Sequence, residues 1–240
     1  MGARIYSRGR RRPKPTEGFL SHLLDPIDRL TETIYSVLIL LTFTLAFRIF
    51  HLEAAEPVSV EYVTDLFAGA LLATITWGVI DGIVYVLTSV LERGEKHRLL
   101  WHIQAADSRE EAAEAVAGEL GFILEPITSD TQRTELYHDI LDHLRDSEAQ
   151  PIRLKREDFT GALACVFVAV IAVLPALLPF IIVRNDPALA IRLSNVGSFA
   201  VLFYAGYEWG KYTEINPWKT GLGLVAVGML LAAIAIPFGG

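Results

Sequence analysis

The chain has 240 residues, of which 52% are apolar, 10% aromatic and 20% charged, with a mean hydropathy of +0.39 and a formal net charge of −7. A soluble domain carries about a quarter charged residues; here the apolar residues gather in blocks long enough to cross a lipid core, which excludes a soluble globular enzyme, a disordered chain and a collagen-like fibre. The single cysteine, Cys165, excludes a disulfide framework and a multi-cysteine metal centre, and within its apolar run it reads as a small core residue.

The first 14 residues carry Arg4, Arg8, Arg10, Arg11, Arg12 and Lys14 and no acid. No small-residue cleavage site follows an apolar core here, so residues 1–24 read as a basic cytoplasmic tail that orients the chain by the positive-inside rule. Contact with anionic lipid is a further possibility for it.

Five apolar segments follow: Thr31 to Phe50, interrupted late by Arg48; Leu66 to Val90, containing Asp81; Phe159 to Val183, 25 residues without a charge; Ala188 to Trp209; and Thr220 to Phe238. Lipid offers the backbone no hydrogen-bond partner, and these runs are too long and continuous for barrel strands, so each is expected to be a helix. The expected fold is all-α, a polytopic membrane protein with transmembrane helices 1–2 in residues 25–91 and helices 3–5 in residues 158–240.

Between spans two and three, residues 92–157 read as an acidic cytoplasmic helical domain. The stretch 91–158 holds 16 acids against 9 bases, so the whole net charge sits there, with four of the six histidines. Ser108 and Glu111 read as a capping box opening a helix that Gly118, Gly121 and Pro126 break. A second helix from Asp130 to Asp146 is expected to bury Leu136, Ile140, Leu141 and Leu144. Arg93, Lys96 and Arg98 before the insert, and Arg153, Lys155 and Arg156 after it, assign it to the cytoplasm. Five spans then turn the C-terminus and the acidic 53–65 loop outward.

Acids at membrane depth cost about 2.5–3.5 kcal/mol each on insertion scales and are functional candidates by default. Asp81 is the sharpest, set between Gly78 and Gly82, whose spacing lets another helix approach closely. Asp81 could instead accept hydrogen bonds from a neighbouring helix. Asp25, Asp28 and Glu32 open the first span at i, i+3 and i+7, on one helix face. Carboxylate oxygens suit divalent cations such as Mn²⁺ and Fe²⁺; capping by Asp25 or Asp28, with Pro26 in the first turn, is the other reading. In the insert, Glu92 and Glu95 are spaced i, i+3, while His138 with Asp142 and Asp139 with His143 are i, i+4 pairs that could grip one ion. A solvated acidic face fits the same residues. Pro175 and Pro179 free backbone carbonyls in span three, to line a cavity or simply to kink the helix. Gly206 and Gly210 repeat the small-residue spacing in span four, and Tyr207 and Trp209 could be interfacial anchors. There is no nucleotide loop, catalytic elbow or nucleophile–base pair, so the chain reads as neither an enzyme nor a nucleic-acid binder.

Asp25-Pro26-x-Asp28-Arg29-Leu30-x-Glu32, Trp77-Gly78-x-x-Asp81-Gly82, the acidic insert and Leu174-Pro175 to Leu178-Pro179 together resemble a bacterial branch of the vacuolar iron transporter family. The resemblance covers residues 20–240. It implies a homodimer in a prokaryotic plasma membrane, with divalent metal (Fe²⁺ or Mn²⁺) as substrate, exchanged for protons, and no organic cofactor. Its paired acids seven residues apart on the first span correspond to Asp25 and Glu32. Where the family has a methionine and an acid on the second span, this chain has Trp77 and Asp81. Glu92 and Glu95 match the family's first insert glutamates, and His138-Asp139-x-x-Asp142 has the spacing of a methionine pair followed by a glutamate. The expected metal residues are therefore Asp25, Asp28, Glu32, Asp81, Glu92, Glu95, His138, Asp139 and Asp142. The alternative function is a non-transporting membrane protein whose acidic domain binds a partner or senses metal.

Overall fold

The computed structural model describes residues 24–51, 58–145, 147–148 and 151–235, with the side chains of 48–51 and 235 left aside. The basic tail, residues 53–57 of the acidic loop, the Arg48 side chain, Asp146 and residues 236–240 at the end of span five lie outside the described residues. Among the described residues there are seven helices and no strand: α1 Pro26–His51, α2 Val60–Ala105, α3 Arg109–Leu124, α4 Asp130–Leu144, α5 Arg156–Ile182, α6 Pro187–Tyr212 and α7 Pro217–Ala235. Five of them, α1, α2, α5, α6 and α7, are long and apolar enough to cross a membrane.

Polar residues inside these spans satisfy themselves along their own helix. The hydroxyl of Thr33 donates to Arg29 O (2.8 Å), Thr74 to Ala70 O (2.9 Å) and Ser198 to Ser194 O (3.1 Å). Such back-bonding hides a hydroxyl where no water is available. The spans thus remain helical without a partner for each Ser or Thr.

One boundary differs from expectation. The apolar run of span two ends near Val90, yet α2 continues to Ala105 and reaches 46 residues. At 1.5 Å per residue that is about 69 Å, against a lipid core of about 30 Å. Charge ends the apolar run, but Glu92, Arg93, Glu95, Lys96 and Arg98 are good helix formers and do not end the helix.

The chain divides into two compact units, residues 1–82 with 160–240 and residues 83–159. In the first, Val37, Leu40 and Leu41 of α1 pack with Leu66 and Ala70 of α2, Val173 and Leu177 of α5, and Leu202 of α6. Small residues set how near these helices come. A Cβ built on Gly78 would lie 2.9 Å from the Val166 Cα, and one on Gly82 would lie 2.7 Å from the Ala162 carbonyl oxygen. The Gly78–Gly82 face therefore seats α2 against α5, as the spacing predicted. At the proline pair, α5 stays helical through Pro175 and Pro179. Pro179 has no N–H, so it leaves the Pro175 carbonyl without its helix donor. The backbone of Gly197 on α6 packs against that carbonyl, where a Cβ would come within 2.6 Å. Gly206 and Gly210 likewise seat α6 against Gly221 and Pro217 of α7. Tyr207 joins Phe203 and Trp218 in an aromatic cluster at that crossing.

In the second unit Ile103, Ala112, Val116, Tyr137 and Leu141 form the core. Ser108 caps α3 by accepting from Glu111 N (3.1 Å), but the Glu111 carboxylate accepts from Asp107 N rather than closing the box on Ser108. The reciprocal box occurs at α4, between Ser129 and Gln132. Gly118 and Gly121 do not break α3, which runs to Leu124; only the turn holding Pro126 does. Leu136 is exposed and Tyr137 takes its place inside, one residue round the helix.

Asp158, buried at 3% exposure, receives Arg93 Nη1 at 3.0 Å and Nη2 at 2.6 Å, and also Lys155 N at 2.8 Å. This fork ties α2 to the start of α5 across 65 residues of sequence. Removing one partner strands a charge in a place with little water, whereas removing both does not. Asp158→Asn is therefore expected to lower the thermal unfolding temperature. The Arg93→Ala, Asp158→Ala double variant is expected to lose less than the sum of its single variants, as scored by size-exclusion survival after heating.

Candidate metal-transport site

Pro26 begins α1 as its first helical residue, and Arg29 N donates to Asp25 O at 3.0 Å to start the ladder. Asp25 and Asp28 are exposed at this end. Two turns further along, Glu32 is only 6% exposed. Ser36 Oγ donates to its Oε1 at 3.3 Å. The Glu32 carboxyl faces that of Asp81 on α2 within hydrogen-bonding reach. Two acids that insertion into lipid disfavours are thus held side by side, one from each of the first two spans.

Asp28, Glu32 and Asp81 all lie close enough to the Cys165 thiol on α5 to act on it electrostatically. Cys165 is buried, as expected of a core residue, but its neighbours are acids as well as apolar side chains. Asp81 is half-buried and opens on a groove lined by Tyr35, Leu38, Ile39, Thr42 and Trp77. Trp77, which stands near the position where the resemblance implies a methionine, is therefore a wall of the approach to Asp81.

The insert holds two further groups. Glu92 and Glu95 are exposed on α2 and share a groove with Lys96, Arg98, Leu99, His102 and Glu119. His102 continues the Glu92, Glu95, Leu99 stripe at helical spacing, a signal the sequence carried. Glu119 comes from α3, and only packing brings it there. On α4, His138 and Asp142 do share a face, but Arg109 of α3 lies across both. Its Nη2 donates to Asp142 Oδ1 and Oδ2 at 2.9 Å each, and its Nε donates to His138 Nδ1 at 3.2 Å. Asp139 and His143 are exposed. Among the described residues, no three histidine, cysteine, aspartate or glutamate side chains converge on one point to hold an ion within a single chain.

Five helices long and apolar enough to cross a membrane, with an acid pair among them, define a polytopic membrane protein. The family model of the VIT family matches residues 88–240, well over half of the chain, and the chain belongs to that family. Its general function is accordingly membrane transport of metal ions, with divalent metal as substrate; members are transporters rather than enzymes. The match covers the insert's main helices and spans three to five and begins seven residues after Asp81. No curated protein matches the chain.

Proposed function

We propose that the chain is a homodimeric exporter that moves Fe²⁺ or Mn²⁺ out of the cytoplasm of a prokaryotic cell in exchange for protons, with its N-terminus and insert cytoplasmic. The observation that carries this reading is the facing Glu32–Asp81 pair inside the spans. Carboxylates must lose their protons to ligate a metal, so loading this pair with a cation releases protons and loading it with protons releases the cation. That exchange is what coupled transport needs. Asp28 and Asp25, exposed along the same helix, form the approach. Glu92, Glu95 and Asp139 would gather metal at the cytoplasmic mouth. A half-buried acid such as Asp81 is costly beside lipid, which supports a second copy near the α1–α2 face.

Proteoliposomes holding a metal-sensitive dye test this directly. Mn²⁺ or Fe²⁺ flux driven by an imposed pH gradient, and abolished when the gradient is collapsed, is the expected result. Flux indifferent to the gradient removes proton coupling from the assignment.

In the insert, a cation on His138 and Asp142 must displace Arg109. Exposed ion pairs contribute about 0.2–1 kcal/mol, so Arg109→Gln is expected to tighten Mn²⁺ binding to the full chain by about 1.4- to fivefold. Calorimetric titration checks it. Unchanged affinity would take His138 and Asp142 out of the metal-gathering set.

A further inference from the structure

We propose that the groove beside Asp81 is a binding site for a lipophilic, singly charged organic cation, of the aryl-phosphonium or quaternary-ammonium class, dissolved in the membrane. The site grows out of helical spacing. Trp77 and Asp81 stand i, i+4 on α2, while Tyr35, Leu38, Ile39 and Thr42 stand i, i+3, i+4 and i+7 on α1, so each set shares one face of its helix. Both sets belong to the first unit, and together they line an open groove of about 390 Å³. Sites for small molecules have this order of volume, with apolar and aromatic walls around a few polar groups.

The lining has the chemistry that recognises such a cation. Tyr35 is 54% exposed and Trp77 45%, so ring surface is open to an occupant. Leu38 and Ile39 add aliphatic wall. The Thr42 hydroxyl spends its proton on Leu38 O (3.0 Å) and Ile39 O (2.9 Å) and has none left to donate to the groove. Among the described residues that line the groove none is basic, and the one carboxylate is that of half-buried Asp81. Glu32 is buried and lines none of it.

Charge and hydration select the occupant. A neutral acyl chain would leave the Asp81 carboxylate beside lipid without a counter-charge, which is costly. A second copy pressed into the groove by two-fold symmetry would bring its own Asp81 toward this one, so a two-fold contact on this face leaves the groove to a cation. A small divalent ion takes about six oxygen ligands, and these walls are mostly carbon. A bulky monovalent cation matches a single carboxylate and lies against the faces of Trp77 and Tyr35 by cation–π attraction. Seated there, it covers the carboxylate that the transport reading gives to the metal and blocks it. That block rests on the transport reading, whereas the binding itself does not.

The test is equilibrium dialysis of radiolabelled tetraphenylphosphonium against the full chain in phosphatidylcholine nanodiscs, with empty discs subtracted and no metal present. Saturable binding is expected. Trp77→Ala is expected to weaken it about three- to tenfold, and Trp77→Phe, which keeps a ring, to weaken it less. Asp81→Asn is expected to weaken it at least about tenfold, because it removes the counter-charge. Trp218→Ala, on α7 and outside the groove, is expected to leave it unchanged. Tetraphenylborate has the same shape and the opposite charge, and dialysed separately it is expected to show no saturable binding. Absence of saturable phosphonium binding overturns the proposal, and so does equal binding of the borate. So does binding that both Trp77→Ala and Tyr35→Ala leave unchanged; these side chains are exposed, so their truncation spares the packed core. Dialysis uses no gradient. Binding lost with metal export intact therefore overturns the organic-cation site alone, and export absent with binding intact overturns the transport reading alone.

Discussion

Glu32→Gln is expected to lower gradient-driven metal flux by at least about 100-fold, beyond the loss seen when only a ligand's supporting contact is removed. The amide is the same size and its oxygen still accepts from Ser36 Oγ, so the fold around residue 32 is kept. What disappears is one of the two negative charges that a divalent cation needs where water is scarce. Asp81→Asn removes the other and is expected to cost as much. The double variant is expected to be no worse than either single one, because groups that act as a unit are not additive. Asp28→Asn, on an exposed carboxylate, is expected to cost only a few-fold. Vesicle flux with each variant at matched protein density checks the series. Wild-type flux from the double variant would show that the cation travels elsewhere.

The grading of that series was only partly visible in the sequence. Each of Asp28, Glu32 and Asp81 stood out because an acid beside or within an apolar run is conspicuous. The spacing i, i+3, i+7 put Asp25, Asp28 and Glu32 on one face, and Glu32 stood first among them because it already faces the apolar run and capping explains it poorly; periodicity alone cannot say how deep each one lies. Burial separates them: Glu32 is inside, the other two are not. The five spans were legible because lipid imposes helix on any long apolar run, and their starts moved by only a few residues, such as Phe159 to Arg156 and Thr220 to Pro217. The far end of α2 was not legible, since hydropathy reports where the bilayer ends and not where the helix does. Contacts between distant residues were also invisible. Arg109 reaches His138 across 29 positions and Arg93 reaches Asp158 across 65. Nothing local in the chain marks those arginines as different from other surface cations.

The second large effect concerns the helix crossings that hold the acid pair. Gly197→Ala is expected to destabilise the chain by about 1–3 kcal/mol, the usual cost of overpacking. The new methyl would meet the Pro175 carbonyl at 2.6 Å, and backbone cannot swing aside as a flexible side chain can. Gly82→Ala meets the Ala162 carbonyl at 2.7 Å and should cost as much. It carries a second penalty, because Asp81 is the adjacent residue and any shift of α2 away from α5 moves that carboxyl relative to Glu32. Flux should therefore fall in Gly82→Ala by more than its loss of folded protein explains, while Gly197→Ala loses flux and folded protein together. Gly223→Ala is the control, since nothing lies within 4 Å of its added methyl and the site is exposed. There the change from glycine to alanine within a helix is expected to gain about 0.5–1 kcal/mol. Thermal survival of the monodisperse protein separates the three. If Gly82→Ala and Gly223→Ala melted alike, α2 and α5 would not meet at their backbones, and the pairing of Glu32 with Asp81 would lose the contact that positions it.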